Sequence, residues 1–542
     1  MSPRRFHAFM GFVILALFVV LQVLCPFNEV WDDAFISLRY ARNIARGLGA
    51  VFGPGSMPPV EGYSNPLWTF LLAWYFLLPG SVFVWIKITN LAAIAGLVAG
   101  ARSLVQSLTE EPQRAPVRVL SYLPGLLIAL DYSFFIYFNS GMETVVYAAA
   151  IVVSLAHSAV VLRRPDAVGL YPNAILWTIV ALLRPEGILL SAPMAAMLAL
   201  RGLLRSRWFD LGRWLLPLGG CMAAFLIWRV SYYGDLLPNT YYAKVPVLRA
   251  AGLGQGWSYY LAGLAEGLSP AILLLAILGL VLISRGRLLL FGLVLLTILV
   301  NALYVVLVAG DFFPLYRFLQ PTFALAYILA TVPIIFLTRD TSWPWVRFSA
   351  QFALLLLTIR LQPVPRKVRE QANDRKGYSW NRLLKEALSS NLATPQSAVG
   401  AWLRESLPAG SVIATGQCGQ IPYYAELETV DVGGLNDRHL ARNRLTYDYV
   451  KRRGVGFIVL GVVPAADGPS VLYADLVTRA DFQADFKLTH RLSGQNQHGA
   501  IMKYVLFSRR DLLIPSVETD IPEPAVRLRE LLNHPSAIEV AF

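Results

Sequence analysis

The apolar run AFMGFVILALFVVLQVLCPF (8–27) passes directly into NEVWDDAFISLRYARNIARG (28–47), and this junction decides how the rest of the chain is read. A run of that length is what a helix needs to cross the hydrocarbon core of a bilayer. Arg4 and Arg5 in front of it look like the start of a secretory signal, but no small-x-small cleavage site follows. The run therefore reads as an uncleaved first span with a cytoplasmic N-terminus. Asp32 and Asp33 then fall at the outer membrane surface, between Trp31 and Phe35. An acid at a helix start satisfies free N–H groups, so one reading is an interfacial cap for FISLRYARNIARG. The other is a catalytic carboxylate that takes a proton from an acceptor hydroxyl. The two are compatible, one per Asp.

Composition supports a membrane protein throughout. Of 542 residues, 56% are hydrophobic and only 15% charged, against about 25% charged in an ordinary soluble domain. Disorder and a fully soluble protein are excluded. The net charge is +13, but residues 1–361 hold 25 Lys and Arg against 15 Asp and Glu, and residues 362–542 hold 22 against 19. The excess lies among the apolar segments, where basic residues fix topology, so no nucleic-acid partner is expected. Cys25, Cys221 and Cys418 form no CxxC, and the six histidines are scattered; a thiolate or zinc site is not expected.

Eleven stretches qualify as spans: 8–27, 82–105, 118–136, 143–162, 171–184, 187–201, 213–232, 268–284, 288–308, 318–337 and 344–361. Residues 66–79 are too short to cross and read as a juxtamembrane helix. With the N-terminus inside, the inner loops carry fifteen basic residues and five acidic ones, as the positive-inside rule requires. An odd span number places residues 362–542 outside. There, SVIAT (411–415), ETVDVGG (428–434), FIVLG (457–461) and AIMKYVLF (500–507) read as strands, with helical patterns at 397–407 and 437–453. The fold class is a multi-pass α-helical membrane domain, 1–361, followed by an extracytoplasmic α/β domain, 362–542.

Acids, aromatics and prolines gather in the outer segments: VEGYSNPLW (60–68), FNSGMET (138–144), LRPEG (183–187), YYGDLLPNTYYAK (232–244) and GDFFPLYRFLQP (310–321). Lys244 and Arg317 lie there among Tyr and Phe. They suit a phosphate leaving group or simple interfacial snorkelling. Arg39, Arg42 and Arg46 make a basic stripe at helical spacing, facing solvent, headgroups or a lipid-linked phosphate. Arg184 could bind phosphate or pair with Glu186. Asp131 lies inside a span, where acids are paired or functional. Glu61, Tyr63, Asn65, Glu143, Asn239 and Asp311 are candidates for sugar or acceptor hydroxyls, with turn and cap roles as the alternative. No cofactor is required; Asp32 or Asp33 could hold a divalent cation.

The motifs DDAFISLRYARN, VEGYSNPLW, SGMET, LRPEG, LLPNTYYAK and GDFFPLYRFLQP, with GQIPYY (419–424) and VDVGGLNDRH (430–439), resemble in their order the GT-C superfamily of polyprenyl-phosphate-sugar glycosyltransferases. Within it the chain is most similar to the bacterial terminal β-arabinofuranosyltransferases. The resemblance spans about residues 31–440. It implies transfer of a sugar, D-arabinofuranose or another pentose or mannose, from a polyprenyl-phosphate donor to a glycan or pilin-like protein acceptor. The reaction would occur on the outer face of the bacterial inner membrane. It implies a first-loop acid, Asp32 or Asp33, as the base, and the leaving phosphate then needs cations, for which the candidates are Lys244, Arg317, Arg184 and Arg39. A lipid-linked sugar flippase would need polar residues through the whole bundle depth. Asp131 and Asn301 are nearly alone there.

Overall fold

The computed structural model describes residues 3–24, 30–53, 55, 58–109, 119–163, 169–284, 287–311, 313–339, 394–465, 468–471, 473–495, 501–512 and 538–541. Among them, seven helices are long and apolar enough to cross a membrane: Arg5–Leu24, Val82–Thr109, Thr144–Arg163, Gly187–Arg205, Trp208–Tyr233, Leu288–Leu307 and Pro314–Leu337. Gly252–Gly267 and Pro270–Ile283 make an eighth candidate, bent by 105° at the break between them. The last of the seven, Pro314–Leu337, is the most buried of them, enclosed from Leu319 to Ile335. Its run of Phe323, Leu325, Tyr327, Ile328 and Val332 is enclosed on all sides, as expected of a helix that is apolar all round.

Eleven spans were expected, and the differences have physical reasons. The stretch 118–136 does not run through. It breaks at Asp131, whose backbone is extended (φ −76°, ψ 125°), into Leu123–Leu130 and Tyr132–Tyr137. The Asp131 carboxylate accepts from Ser133 N (2.7 Å) and Phe134 N (3.3 Å), and Tyr327 donates its hydroxyl to it. The intramembrane acid is a helix cap rather than half of an arginine pair. The piece Leu170–Leu183 is a short apolar helix of 14 residues. The candidate at 344–361 and the charged stretch after it lie outside the described residues.

Two short helices follow the first span, α1 (Pro3–Leu24), at one end of the bundle. These are α2 (Asp32–Ala45) and α3 (Pro66–Tyr75), packed against each other. The next helix, α4 (Val82–Thr109), returns across the bundle.

The C-terminal part is a mixed sheet in the order β2-β1-β3-β6-β5-β7, with β4 (Gly468–Val471) paired to β3. β1 (Val412–Thr415), β2 (Glu428–Asp431), β3 (Phe457–Ala465) and β6 (Ile501–Arg509) are the four expected strands. β5 (Phe486–Gln495), β4 and β7 (Ile538–Ala541) were not expected. The 397–407 pattern is the helix Pro395–Ser406, started by a Thr394 capping box. Of 437–453, only Tyr447–Arg452 is α-helical. β1 is parallel to β2 and β3, and the six-residue helix Gln420–Ala425 links β1 to β2. The loops leaving the C-terminal ends of β1 and β2, 416–419 and 432–440, meet the end of the helical bundle that carries α2. Ligand sites in α/β sheets commonly use that edge.

Candidate functional site

The site is built on the first turn of α2. Trp31 precedes it, its N–H on Ser140 O (3.1 Å) and its indole stacked on Phe313 with ring centroids 4.8 Å apart. This fixes where Asp32 and Asp33 emerge, and the two carboxylates have different surroundings. Asp32 caps another helix. Its Oδ1 accepts from Gln420 N at 2.7 Å and its Oδ2 from Gly419 N at 3.1 Å, across the junction with the α/β part. Residue 419 must be glycine, because a Cβ there would collide with the Asp32 carbonyl oxygen. Burial pushes the Asp32 carboxyl up to about 6, with the two amides opposing the shift.

Asp33 accepts no hydrogen bond among the described residues. Burial raises its carboxyl above the usual range; Arg317 and then Lys244 pull it down, and Asp311 and Glu143 push it up. It faces the two cations read from the sequence as phosphate ligands. Lys244 is exposed and makes no ion pair among the described residues. Arg317 is buried, with Nε on Asp311 and Nη1 3.3 Å from the Met142 thioether. It lies over the Phe313 ring at 4.4 Å. A thioether is a weak acceptor, so this guanidinium has donors to spare.

The other two expected phosphate ligands are occupied. Arg184 bridges Glu143 (3.3 Å) and Glu186 (2.6 Å) and lies over Phe318. Arg39 is fully buried in a bolt between α2 and the sheet: Nε donates to Phe52 O (2.7 Å), Nη2 to Leu427 O (2.7 Å) and Nη1 to Thr429 Oγ1 (3.3 Å). The rest of the basic stripe turns the same way. Arg42 and Arg46 pair with Glu426 at 3.1 and 3.0 Å, Arg42 half-buried and Arg46 still open to solvent.

Most of the six candidate hydroxyl ligands also serve as scaffold. Glu61 forms an ion pair with Arg229, accepting from Nη2 at 3.1 Å with Nε 2.7 Å from its other oxygen, and burial pushes its carboxyl up to about 7 against that pairing. Tyr63 and Tyr233 share a hydroxyl hydrogen bond of 2.9 Å. Asn239 Nδ2 donates to the carbonyls of Gly434 (2.7 Å), Leu435 (3.1 Å) and Asp437 (3.2 Å), holding the loop after β2. Asn65 spans Glu143 Oε2 (2.7 Å) and the hydroxyls of Ser37 and Thr69. Glu143 and Asp311 stand beside Asp33 and each carries a cation. The sequence motifs therefore do converge, but by fastening the α/β part to the bundle. Gly62 of VEGYSNP lies against the Asn436 side chain of VDVGGLNDRH so closely that a Cβ would collide with it.

Beside Asp311 and Phe313 lies a half-open cavity of about 500 Å³. Asp131, Ser133, Tyr259, Glu266, Tyr316 and Phe323 also line it. Tyr259 and Glu266 lie in a segment that carries no sequence motif, so they were not among the expected residues. A divalent ion does not fit Asp32 and Asp33 as donors. Both oxygens of Asp32 are on backbone amides, and among the described residues no three His, Cys, Asp or Glu come together.

With this geometry in hand, comparison with known proteins places the fold. Residues 386–507 match a domain of unknown function, DUF8728. No curated protein matches the chain in sequence. In structure, the chain is similar to the Archaeoglobus fulgidus oligosaccharyltransferase tethered to an acceptor peptide. That match has a TM-score of 0.58 at 8% identity, covering 92% of this chain and 80% of the other. The oligosaccharyltransferase AglB from Archaeoglobus fulgidus, in complex with an inhibitory peptide and a dolichol-phosphate, gives 0.54 at 9% identity, covering 91% and 80%. ArnT from Cupriavidus metallidurans bound to undecaprenyl phosphate gives 0.50 at 11% identity, covering 87% and 98%. The chain has the GT-C fold that the sequence resemblance implied: a membrane-embedded helical bundle carrying a C-terminal α/β sheet.

Proposed function

We propose that this protein is a membrane glycosyltransferase that moves a sugar from a polyprenyl-phosphate donor to an acceptor hydroxyl. One observation carries the reading. A half-buried carboxylate that accepts no hydrogen bond among the described residues, Asp33, lies in the field of a cation with no ion pair among the described residues, Lys244, and of a buried guanidinium resting on a thioether, Arg317. Carboxylate and cations are what the reaction needs on opposite sides of one carbon. Asp33 accepts the proton of the acceptor hydroxyl as its oxygen bonds to the anomeric carbon. The bond from that carbon to the phosphate oxygen breaks, and Lys244 and Arg317 stabilise the charge gathering on the leaving polyprenyl phosphate. Asp32 acts on this site by position, holding the α/β part over it.

The sequence resemblance supports D-arabinofuranose as the sugar and a cell-surface glycan or pilin-like protein as the acceptor. It also supports the outer face of the bacterial inner membrane as the place. Residues 1–361 form the catalytic membrane domain in this reading, and 362–542 the extracytoplasmic domain that meets the acceptor. The test is incubation of the purified protein with polyprenyl-phosphate pentoses and hexoses, with released polyprenyl phosphate detected by mass spectrometry. Release with the arabinofuranose donor in the presence of an acceptor is the expected result. Release from none of the donors would overturn the assignment.

A further inference from the structure

The cavity beside Asp311 has a wall that the reaction described above does not use. Helix Gly252–Gly267 forms it, bent by 105° from the span that follows. Its Leu253, Trp257 and Leu261, spaced four apart, are exposed on one face, as on a helix lying in the membrane interface. Tyr259 and Glu266 line the cavity. The Tyr259 ring is seated against the backbone of Gly310, at φ 79°, where a Cβ would collide with it. The ring packs on Tyr316 with centroids 5.1 Å apart. Held in this way, the Tyr259 hydroxyl is buried and has no hydrogen-bond partner, a costly state for a polar group unless a ligand supplies the partner. Two carboxylates leave one oxygen each uncommitted nearby. Asp311 uses Oδ2 for Arg317, and Glu266 uses Oε2 for the Tyr316 hydroxyl at 2.8 Å.

A hydroxyl without a partner and two half-used carboxylates, in a cavity walled by Phe313 and Phe323, match a ring that carries several hydroxyls on a compact apolar frame. We propose that this cavity holds the glycosyl ring of the lipid-linked donor, and that Tyr259 determines sugar specificity by bonding one of its hydroxyls. The proposal rests on the glycosyltransferase reading. It places the sugar ring beside Asp311, whose partner Arg317 takes the donor phosphate. A site built to bond a hydroxyl discriminates strongly against the analogue that lacks it, because its own polar group is left unpaired.

The test compares the wild type with Tyr259→Phe, which keeps the ring and removes only the hydroxyl. Binding of a polyprenyl-phosphate pentose, its singly deoxygenated analogues and bare polyprenyl phosphate is measured by calorimetry, and kcat/KM is measured for those donors that turn over. The wild type should bind the full donor more tightly than bare polyprenyl phosphate and prefer it over one deoxy analogue. Tyr259→Phe should shrink that preference about tenfold, the worth of one hydrogen bond, and leave bare polyprenyl phosphate unaffected. An unchanged preference overturns the proposal. Equal weakening of bare polyprenyl phosphate also overturns it, by giving the cavity to the prenyl chain or the phosphate. Because binding is read without turnover, a protein that binds the donor in this pattern but transfers nothing would sink the catalytic reading alone.

Discussion

At the scale of single residues, the proposed reaction divides two tasks between the adjacent acids Asp32 and Asp33 that the sequence could not separate. Asp33→Asn removes a base that nothing else at the site replaces. It should lower kcat/KM by roughly 10²–10⁴ while thermal unfolding stays at the wild-type midpoint. Asp32→Asn should do the reverse. Its amide would confront the Gly419 or Gln420 N–H, so the unfolding midpoint falls while the remaining folded protein still turns over. Near-normal turnover in Asp33→Asn would remove it from the chemistry. The pH dependence separates them too. The base must be ionised, and burial lifts the Asp33 carboxyl above the usual range. The acid limb of kcat/KM should therefore lie above the pH of an ordinary aspartate. For Asp32 the folded value is about 6 against 3.8, so the folded state binds its proton more tightly than the unfolded chain does. Its stability contribution is complete below about pH 4 and is lost as pH rises through 6. Asp431 is raised to about 6 by burial and adds with the same sign. The measurement is therefore the difference in unfolding midpoint between pH 4.5 and 7 in the wild type minus that in Asp32→Asn. A zero difference would contradict the Asp32 assignment.

At the scale of elements, α2 is a bolt rather than a lipid-facing basic helix. Its stripe was legible as a stripe, Arg39, Arg42 and Arg46 at helical spacing, but its direction was not. The partners are Leu427, Thr429 and Glu426, some 380–390 residues away in sequence, and no local pattern encodes a contact at that separation. The contacts of Glu61 with Arg229 and of Asn239 with the 434–437 loop were not legible for the same reason. The motifs stood out because they carry polar residues where apolar ones would be ordinary, and an interface between two parts of one chain produces that signal as readily as a substrate site. Among the strands, β5 was missed because a register shift between Leu488 and His490 interrupts its alternation, putting Leu488 and Leu492 on opposite faces, and because a histidine, His490, takes a buried place. Arg39→Lys tests the bolt directly. A point charge cannot reproduce a planar fork bonded to Phe52 O, Leu427 O and Thr429 Oγ1. Stability should fall by on the order of 3 kcal/mol, since hydrogen bonds to charged groups are the stronger ones. Inhibition by polyprenyl phosphate should not change. A weakened inhibition constant in folded Arg39→Lys would return this residue to the phosphate site.

At the scale of the whole molecule, the two ends of the bundle differ in charge as the sequence read them. At one end, Arg163 and Arg287 converge on the Ser107 carbonyl (3.2 and 3.4 Å), and Arg102 bonds His7 of the first span at 2.9 Å. Arg201 and Arg207 flank Asp210 there as well. At the other end, the acids Asp33, Glu143, Glu186 and Asp311 meet their cations under the α/β part. Basic residues at helix ends are retained on the cytoplasmic side during insertion, and acidic ones have little influence. The arginine-rich end should therefore be cytoplasmic, which puts the site, the sheet and the C-terminus outside. This orientation is also what the proposed chemistry requires, since an acceptor on the cell surface can reach Asp33 only from that face. A reporter that is active only in the cytoplasm, fused after Phe542, should be silent, and one that matures only outside should be active. To show that the arginines set this outcome, the same two fusions are repeated with Arg201, Arg205 and Arg207 changed to Gln, which weakens the inside signal without touching the site. The outside reporter should then lose part of its activity as a mixed-orientation population accumulates. Cytoplasmic activity in the unaltered protein would overturn the layout, and with it the placing of acceptor and carboxylate on one face.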